Sequence, residues 1–252
     1  MHTPSSTSIP SAQTQPSAAG NNANIRANIR FERVGFRYTR DVEILSDVSF
    51  SLPRGSMTFV TGPSGAGKTT LLKLIYLHMQ PSRGLITVFG QDTSQIDRKA
   101  IPTLKRRMGI VLQDFDLVDH LNVFENVALP LRVAGRKQAT YRDDVLGLLK
   151  WVGLGARAHV LPQMLSGGEK QRAAIARAVI AKPEILIADE PTGNVDQDIA
   201  RRLIRLFKEM NRLGTTVVIA THNTDLISED ANVLALTNGQ VSRINTGMRV
   251  KV

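Results

Sequence analysis

Hydrophobic residues are spaced unevenly along the chain, and the changes in their spacing mark out its elements. Nothing regular precedes residue 25: the first 24 residues are mostly Ser, Thr, Pro, Gln, Asn and Ala, with no Lys, Arg, Asp or Glu. Such a composition buries too little apolar area to offset chain entropy, so a disordered polar tail is expected over residues 1–28. Ile29, Phe31 and Val34 then begin a strand-like pattern, and Ile44, Val48 and Phe50 give a second. Pro53-Arg54-Gly55 marks a turn. Met57-Thr58-Phe59-Val60 reads as a buried strand, followed by a glycine-rich loop and an apolar helix from about Lys68 to Met79. Further buried strands are expected at Met108–Leu112, Ile185–Asp189 and Thr215–Thr221, interleaved with helical stretches. That alternation predicts an α/β fold with a mostly parallel sheet core, preceded by an antiparallel β part.

Between about residues 114 and 165 the strand signals disappear. Val145, Leu148, Leu149 and Val152 recur at helical spacing, which predicts a helical subdomain inserted into the α/β core. Over Gln197–Arg212, Ile199, Leu203, Leu206, Phe207 and Met210 share a face, leaving Arg201, Arg202, Arg205, Lys208 and Arg212 for solvent or an anion.

Composition narrows the picture. At 252 residues, 42% hydrophobic and 21% charged, the chain suits one domain at the large end or a domain with a built-in subdomain, and excludes a wholly disordered or collagen-like protein. Cysteine is absent, which removes disulfides, thiolate metal sites and cysteine nucleophiles and points to a reducing compartment. Against 22 Asp and Glu stand 32 Lys and Arg, a net charge of +10, so nucleotide, nucleic acid and phospholipid are all eligible partners. No apolar run approaches the roughly 20 residues that cross a bilayer, and no export signal is expected at the N-terminus.

Gly62-Pro63-Ser64-Gly65-Ala66-Gly67-Lys68-Thr69 fits G-x-x-x-x-G-K-[ST] between a strand and a helix. Glycines there let the backbone wrap phosphates, the helix N-terminus supplies partial positive charge, Lys68 reaches the β- and γ-phosphates, and the Thr69 hydroxyl is a Mg²⁺ ligand. The strand Ile185-Leu186-Ile187-Ala188 ends in Asp189 and Glu190. Asp189 suits a Mg²⁺ shell, and Glu190 suits orientation or deprotonation of an attacking water. Leu165-Ser166-Gly167-Gly168-Glu169-Lys170-Gln171-Arg172 carries a capping box from Ser166 to Glu169. Its two glycines leave the first-turn amides uncovered, so the helix start is expected to face a phosphate held elsewhere.

With these segments in place the chain resembles the nucleotide-binding subunits of ATP-binding cassette systems, over roughly Ile29 to Ile244. The resemblance implies ATP contacts from Tyr38, stacked on adenine, from Gly62, Pro63, Ser64, Gly65, Ala66, Gly67, Lys68, Thr69 and Thr70, and from Gln113. It implies Mg²⁺ held by Thr69, Gln113 and Asp189, and catalysis by Glu190, His222 and Lys68. Asn194 and Asp196 fall in the D-loop. Ser166, Gly167, Gly168 and Glu169 form the signature that covers ATP held by a second copy in a head-to-tail, ATP-dependent homodimer. Glu169 stands where Gln commonly ends the signature, and Val195 where Leu is common in the D-loop.

Ala188 to Asp196, with Leu71 to Ile75, Arg106 to Phe115 and Asn126 to Leu131, resembles the branch that holds macrolide and lipoprotein exporters and cell-division ATPases, and is nearer to the latter. That branch implies an integral membrane partner, through which the ATP cycle activates cell-wall hydrolases, and a peripheral position on the cytoplasmic face of the bacterial inner membrane. A lipoprotein or peptide exporter remains the alternative. Nucleic acid is not the expected partner: DNA-acting relatives are split by long coiled coils or carry zinc-binding cysteines, and this chain has neither. The basic surplus suits the anionic inner leaflet, where each nearby Lys or Arg contributes about 1 kcal/mol.

Overall fold

The computed structural model describes residues 27–39, 42–227 and 231–245. Most of the tail expected over residues 1–28 lies outside them, but its last two residues do not. Strand β1 (Ala27–Arg37) starts at Ala27, and Asn28 is buried with its side-chain amide donating to Thr216 Oγ1 at 2.8 Å. A long-range polar partner thus ties the chain into the fold one residue before Ile29, where the strand-like apolar pattern begins.

Strand β1 pairs antiparallel with β2 (Glu43–Pro53), and the chain continues into β3 (Met57–Thr61) and helix α1 (Lys68–Ile75). Next come β4 (Arg83–Val88), β5 (Gln91–Asp92), α2 (Ile101–Lys105) and β6 (Met108–Val111). Three helices follow, α3 (Val123–Val133), α4 (Arg142–Trp151) and α5 (Gly167–Val179). The rest is β7 (Ile185–Asp189), α6 (Gln197–Arg212), β8 (Thr216–Ala220), β9 (Asn232–Thr237) and β10 (Gln240–Asn245). A four-stranded antiparallel sheet has the order β2-β1-β4-β5, and a six-stranded sheet the order β10-β9-β3-β8-β7-β6. In the second, every neighbouring pair is parallel except β10 with β9.

Strands β7 and β8 are buried at all positions because both faces of the sheet are covered. On one face Ile185, Ile187 and Val218 pack with Leu71, Leu74 and Ile75 of α1 and with Ile29 and Phe31 of the antiparallel sheet. On the other, Leu186, Val217 and Ile219 pack with Ile175 of α5 and Leu203 and Phe207 of α6. The period-2 alternation of a strand therefore divides one apolar run between two cores. In α6 the buried stripe centres on Ala200, Leu203, Ile204, Phe207 and Met210, with Ile199 and Leu206 at its margins.

Helix α1 ends at Ile75 rather than continuing to Met79. Leu77 turns left-handed at φ 57°, and His78 N–H closes back on the Lys73 carbonyl at 2.9 Å. Tyr76 and Leu77 are still buried, so the apolar pattern outlasts the helix that began it. Strands β4, β9 and β10 lie outside the elements expected from the pattern.

Val123, Val127, Leu131, Val145, Leu149 and Val152 form a separate cluster with Ala173 and Ala176 of α5. The loop leading into it is tied down by buried Asn126. Its amide donates to the carbonyls of Val118, Leu121 and Asn122 at 3.0, 2.7 and 3.1 Å, and its oxygen accepts from Val118 N–H at 2.8 Å. Among the described residues no helix is long and apolar enough to cross a membrane.

At the opposite edge of the sheet from the loops described below, Arg107 and Glu184 join the starts of β6 and β7 by a bidentate pair, Nε–Oε1 2.7 Å and Nη2–Oε2 3.0 Å. The same guanidinium sits 3.8 Å above the Phe89 ring centroid. The hydrogen bond from Arg107 holds the Glu184 carboxyl below its ordinary value. A depressed folded-state pKa stabilises the fold above the unfolded value and loses that stabilisation as pH falls through the folded value. Glu184→Gln is therefore expected to lower unfolding free energy by about 1 kcal/mol at neutral pH, since the pair is partly solvated. Urea melts as a function of pH check this: the deficit should shrink as pH falls below the ordinary glutamate range and the wild-type carboxyl protonates.

Candidate functional site

Parallel pairing places Val60 beside Ala220, Asp189 beside Ala220, and Val111 beside Ala188. Four neighbouring strands, β3, β8, β7 and β6, thus end level with one another. The segments beyond these ends line a cavity of about 540 Å³. Lys68 and Thr69 reach it from the first turn of α1, His222 from after β8, Asp189 from the end of β7, Glu190 from the position after it, and Gln113 from after β6. Such a crevice outside the carboxyl ends of strands is where open α/β sheets bind ligands.

The loop after β3 meets α1 through Gly67, left-handed at φ 101°, with no side-chain cap and no acidic residue in the first turn. The N-terminal amides are left bare, which makes the helix start an anion site. Gly62 is held at φ 149°, where a Cβ would run into the Leu236 carbonyl. Lys68 is buried, and its ammonium donates to the carbonyls of Gly62 at 2.8 Å and Pro63 at 3.1 Å. Ser64, Gly65 and Thr70 line the cavity alongside Gly67. Gly62, Pro63 and Ala66 do not; they shape the loop, Ala66 N–H donating to the Pro63 carbonyl at 3.2 Å.

Across from the loop, Asp189 is 3% exposed and accepts a hydrogen bond from the Thr69 hydroxyl. Burial raises its pKa, aided by the neighbouring Glu190 charge and opposed by the Thr69 bond and Lys68. A desolvated carboxylate beside a hydroxyl is the hard-oxygen donor set that Mg²⁺ takes together with substrate phosphates, so these residues fit that ion. Gln113 lies exposed at the rim. Burial, with Asp189 as the next cause, pushes the Tyr76 phenol up to about 12.

Glu190 occupies the left-handed region at φ 48°, a strain of about 1–2 kcal/mol for a residue with a Cβ. Its N–H donates to the Ala220 carbonyl at 2.9 Å, and its Oε2 lies 3.0 Å from His222 Nδ1. The carboxylate is mostly shielded, at 16% exposure, whereas the imidazole is 71% exposed. Tyr38 is exposed at the mouth, its hydroxyl 3.1 Å from Thr70 Oγ1 and its ring edge-on to Phe36 at 4.9 Å.

The residues Ser166 to Glu169 do not line the cavity. Ser166 caps α5, accepting from Glu169 N–H at 3.3 Å, while its own N–H donates to Glu169 Oε2 at 2.9 Å. These bonds and Arg157, 3.1 Å away, hold the Glu169 carboxyl low. Gly167 is open, but Gly168 is not: a Cβ there would approach the Asn194 carbonyl to 3.0 Å. The helix start expected to be uncovered is therefore bare at one glycine and packed on the following loop at the other. In that loop Asn194 lines the cavity, and Asp196 caps α6 by accepting from Ile199 N–H at 2.9 Å.

Ile44 and Gly193 also line the site and carry no motif of their own. Gln171, read only as part of the signature helix, is 1% exposed. Its spacing with Ala174, Ile175 and Ala178 puts it on the helix's buried face, the one signal in the sequence that singles it out.

A family model described as ABC transporter matches residues 45–193, and the chain belongs to that family of ATP-binding cassettes. It is 44% identical over 214 residues to the cell division ATP-binding protein FtsE of Escherichia coli strain K12, covering 84% of this chain and 96% of that protein. With FtsE of Bacillus subtilis strain 168 it shares 40% identity over 216 residues, 85% of this chain and 95% of that one. Among solved structures it is similar to a dimeric post-hydrolysis state of the ATP-binding cassette MJ0796 bound to ADP and Pi. The TM-score is 0.79 at 30% identity, covering 85% of this chain and 97% of that chain.

The loop geometry separates two glycine substitutions. Gly65 is also left-handed, at φ 79°, but nothing lies within 4 Å of a Cβ there. Gly65→Ala should cost about 1–2 kcal/mol from backbone strain alone. Gly62→Ala adds the collision with β9 and should cost roughly twice that or more. Thermal melts of the two variants without nucleotide compare them directly.

Proposed function

We propose that the chain is the ATP-binding and ATP-hydrolysing subunit of an FtsEX-type complex. In this reading it works with an FtsX-like integral membrane subunit to regulate cell-wall hydrolysis in cell division. The single observation that carries the chemistry is the meeting of Lys68, Thr69, Asp189, Glu190 and His222 in one cavity beside a bare helix start. The similarity to FtsE over nearly all of those proteins' length supports the biological role.

In this reading the triphosphate lies on the amides of Gly65 to Thr70, and Lys68 exchanges the carbonyls of Gly62 and Pro63 for phosphate oxygens. Tyr38 stacks on the adenine. Thr69 and Asp189, with Gln113 at the rim, would hold Mg²⁺, which would supply charge neutralisation at the phosphate oxygens. Glu190 orients a water and takes its proton as the water oxygen bonds to the γ-phosphorus and the bond to the β,γ-bridging oxygen breaks, giving ADP and phosphate. His222 bonds the γ-phosphate.

The exposed Ser166 and Gly167, with Gly168 and Glu169 behind them, belong to the site of a second copy, so ATP joins two chains head to tail and hydrolysis releases them. Asn194 and Asp196 line the seam. The surface following Gln113 docks the membrane subunit, and the net charge of +10 favours the anionic cytoplasmic face of the inner membrane.

Glu190→Gln is expected to keep ATP binding, to lower kcat at least about 100-fold, and to accumulate a dimer with ATP. Lys68→Ala should instead lose nucleotide affinity. Phosphate release and sedimentation with and without ATP check both; normal turnover by Glu190→Gln removes the base assignment. Tagged Glu190→Gln, recovered from solubilised membranes of its host with ATP, should carry an FtsX-like subunit. Recovery of an exporter permease instead would replace the division role and leave the chemistry standing.

A further inference from the structure

Between the helix that carries the signature and the loop that carries Glu190 there is one side-chain bridge that the catalytic cycle above does not use. Gln171 sits on the buried face of α5, 1% exposed. Its Nε2 donates to the Glu190 carbonyl at 3.0 Å, and its Oε1 accepts from Asn194 N–H at 3.2 Å. One amide thus holds both ends of the turn that follows β7. The Glu190 carbonyl takes a second bond, from Gly193 N–H at 3.2 Å, and the Glu190 N–H is fixed to β8 through Ala220. The left-handed backbone of Glu190 is therefore clamped on its amide side by the sheet and on its carbonyl side by α5.

One turn earlier on the same helix, Gly168 lies directly against the Asn194 carbonyl. Helix α5 consequently touches the 190–194 turn at two points, and its first turn is the Ser166-capped segment. Any shift of α5 relative to the sheet must break the Gln171 bridge or carry the Glu190 peptide with it. Because packed polar contacts of this kind have discrete arrangements, the bridge converts a helix displacement into a change in where the carboxylate points.

We infer that Gln171 is a positioning residue for hydrolysis, which sets the orientation of Glu190 according to the position of the signature helix. This rests on Glu190 being the base. The amide is needed for both of its functions at once: a donor toward residue 190 and an acceptor toward residue 194.

The test compares full-length Gln171→Met, which removes both bonds at similar volume, with Gln171→Glu. The second keeps the acceptor for Asn194 and replaces the donor facing the Glu190 carbonyl with a carboxylate oxygen. Competent sites are counted by titration with a fluorescent ribose-labelled ATP, and steady-state phosphate release is expressed per competent site. Both variants are expected to lose about 10- to 100-fold in kcat, with KM for ATP and labelled-ATP affinity changed less than about threefold. Unchanged kcat per site in either variant overturns the inference. So does a loss of activity fully accounted for by fewer binding sites, which is what a merely structural Gln171 would produce. Glu190→Gln is assayed in parallel. If it turns over normally the base assignment fails by itself, whereas an inactive Glu190→Gln beside active Gln171 variants removes only the coupling.

Discussion

The level register of the parallel strands is the constraint on which the site depends. Pairing of Val60, Asp189 and Val111 with their neighbours brings four chain segments, distant in sequence, to the same height at adjacent positions. A slip of one residue in any pair would send its side chains to the opposite core and move its terminal functional group by more than 3 Å. Burial on both faces makes such a slip costly, because β7 and β8 have no solvent-facing position to exchange. The two cores that cover the sheet thereby also set the catalytic geometry.

Within that frame each charged group already has a partner in the protein. Lys68 rests on two carbonyls of its own loop, Asp189 on the Thr69 hydroxyl, and Glu190 against His222. These are bonds that a phosphate and a cation can replace one for one, so nucleotide entry exchanges contacts instead of burying bare charge. The Glu190 backbone strain stands apart, since it is held by protein groups on two different layers, β8 and α5.

How much of this was legible in the sequence follows from how local each signal is. The phosphate loop, β7 and α6 were readable because glycine spacing, an uninterrupted apolar run and a clear 3.6-residue stripe each act over a few residues. Strands β9 and β10 were missed although Asn238-Gly239, at φ 50° and 75°, forms the two-residue turn that signals a hairpin. Strand β4 begins with exposed Arg83 and Gly84 and owes its place to pairing with β1, a partner distant in the chain (Gly35 with Arg83, Ile29 with Val88). The length of α1 was overestimated because Tyr76 and Leu77 are apolar and buried but not helical. Order at Asn28 and the bridge at Gln171 share one cause: each depends on a polar partner far away in sequence, which no periodicity records.

In the proposed cycle the cavity is half of a site, and the exposed signature of a second copy completes it. The chain has no cysteine, so single introduced thiols report cleanly. In a Glu190→Gln background, Ser64→Cys on the cavity wall and Met164→Cys beside the signature, 75% exposed, would be mixed and treated with a short bis-maleimide. ATP-dependent cross-linking between the unlike variants, with little between like ones, is the expected result. Cross-linking indifferent to ATP, or none at ATP concentrations that saturate binding, would contradict the shared site.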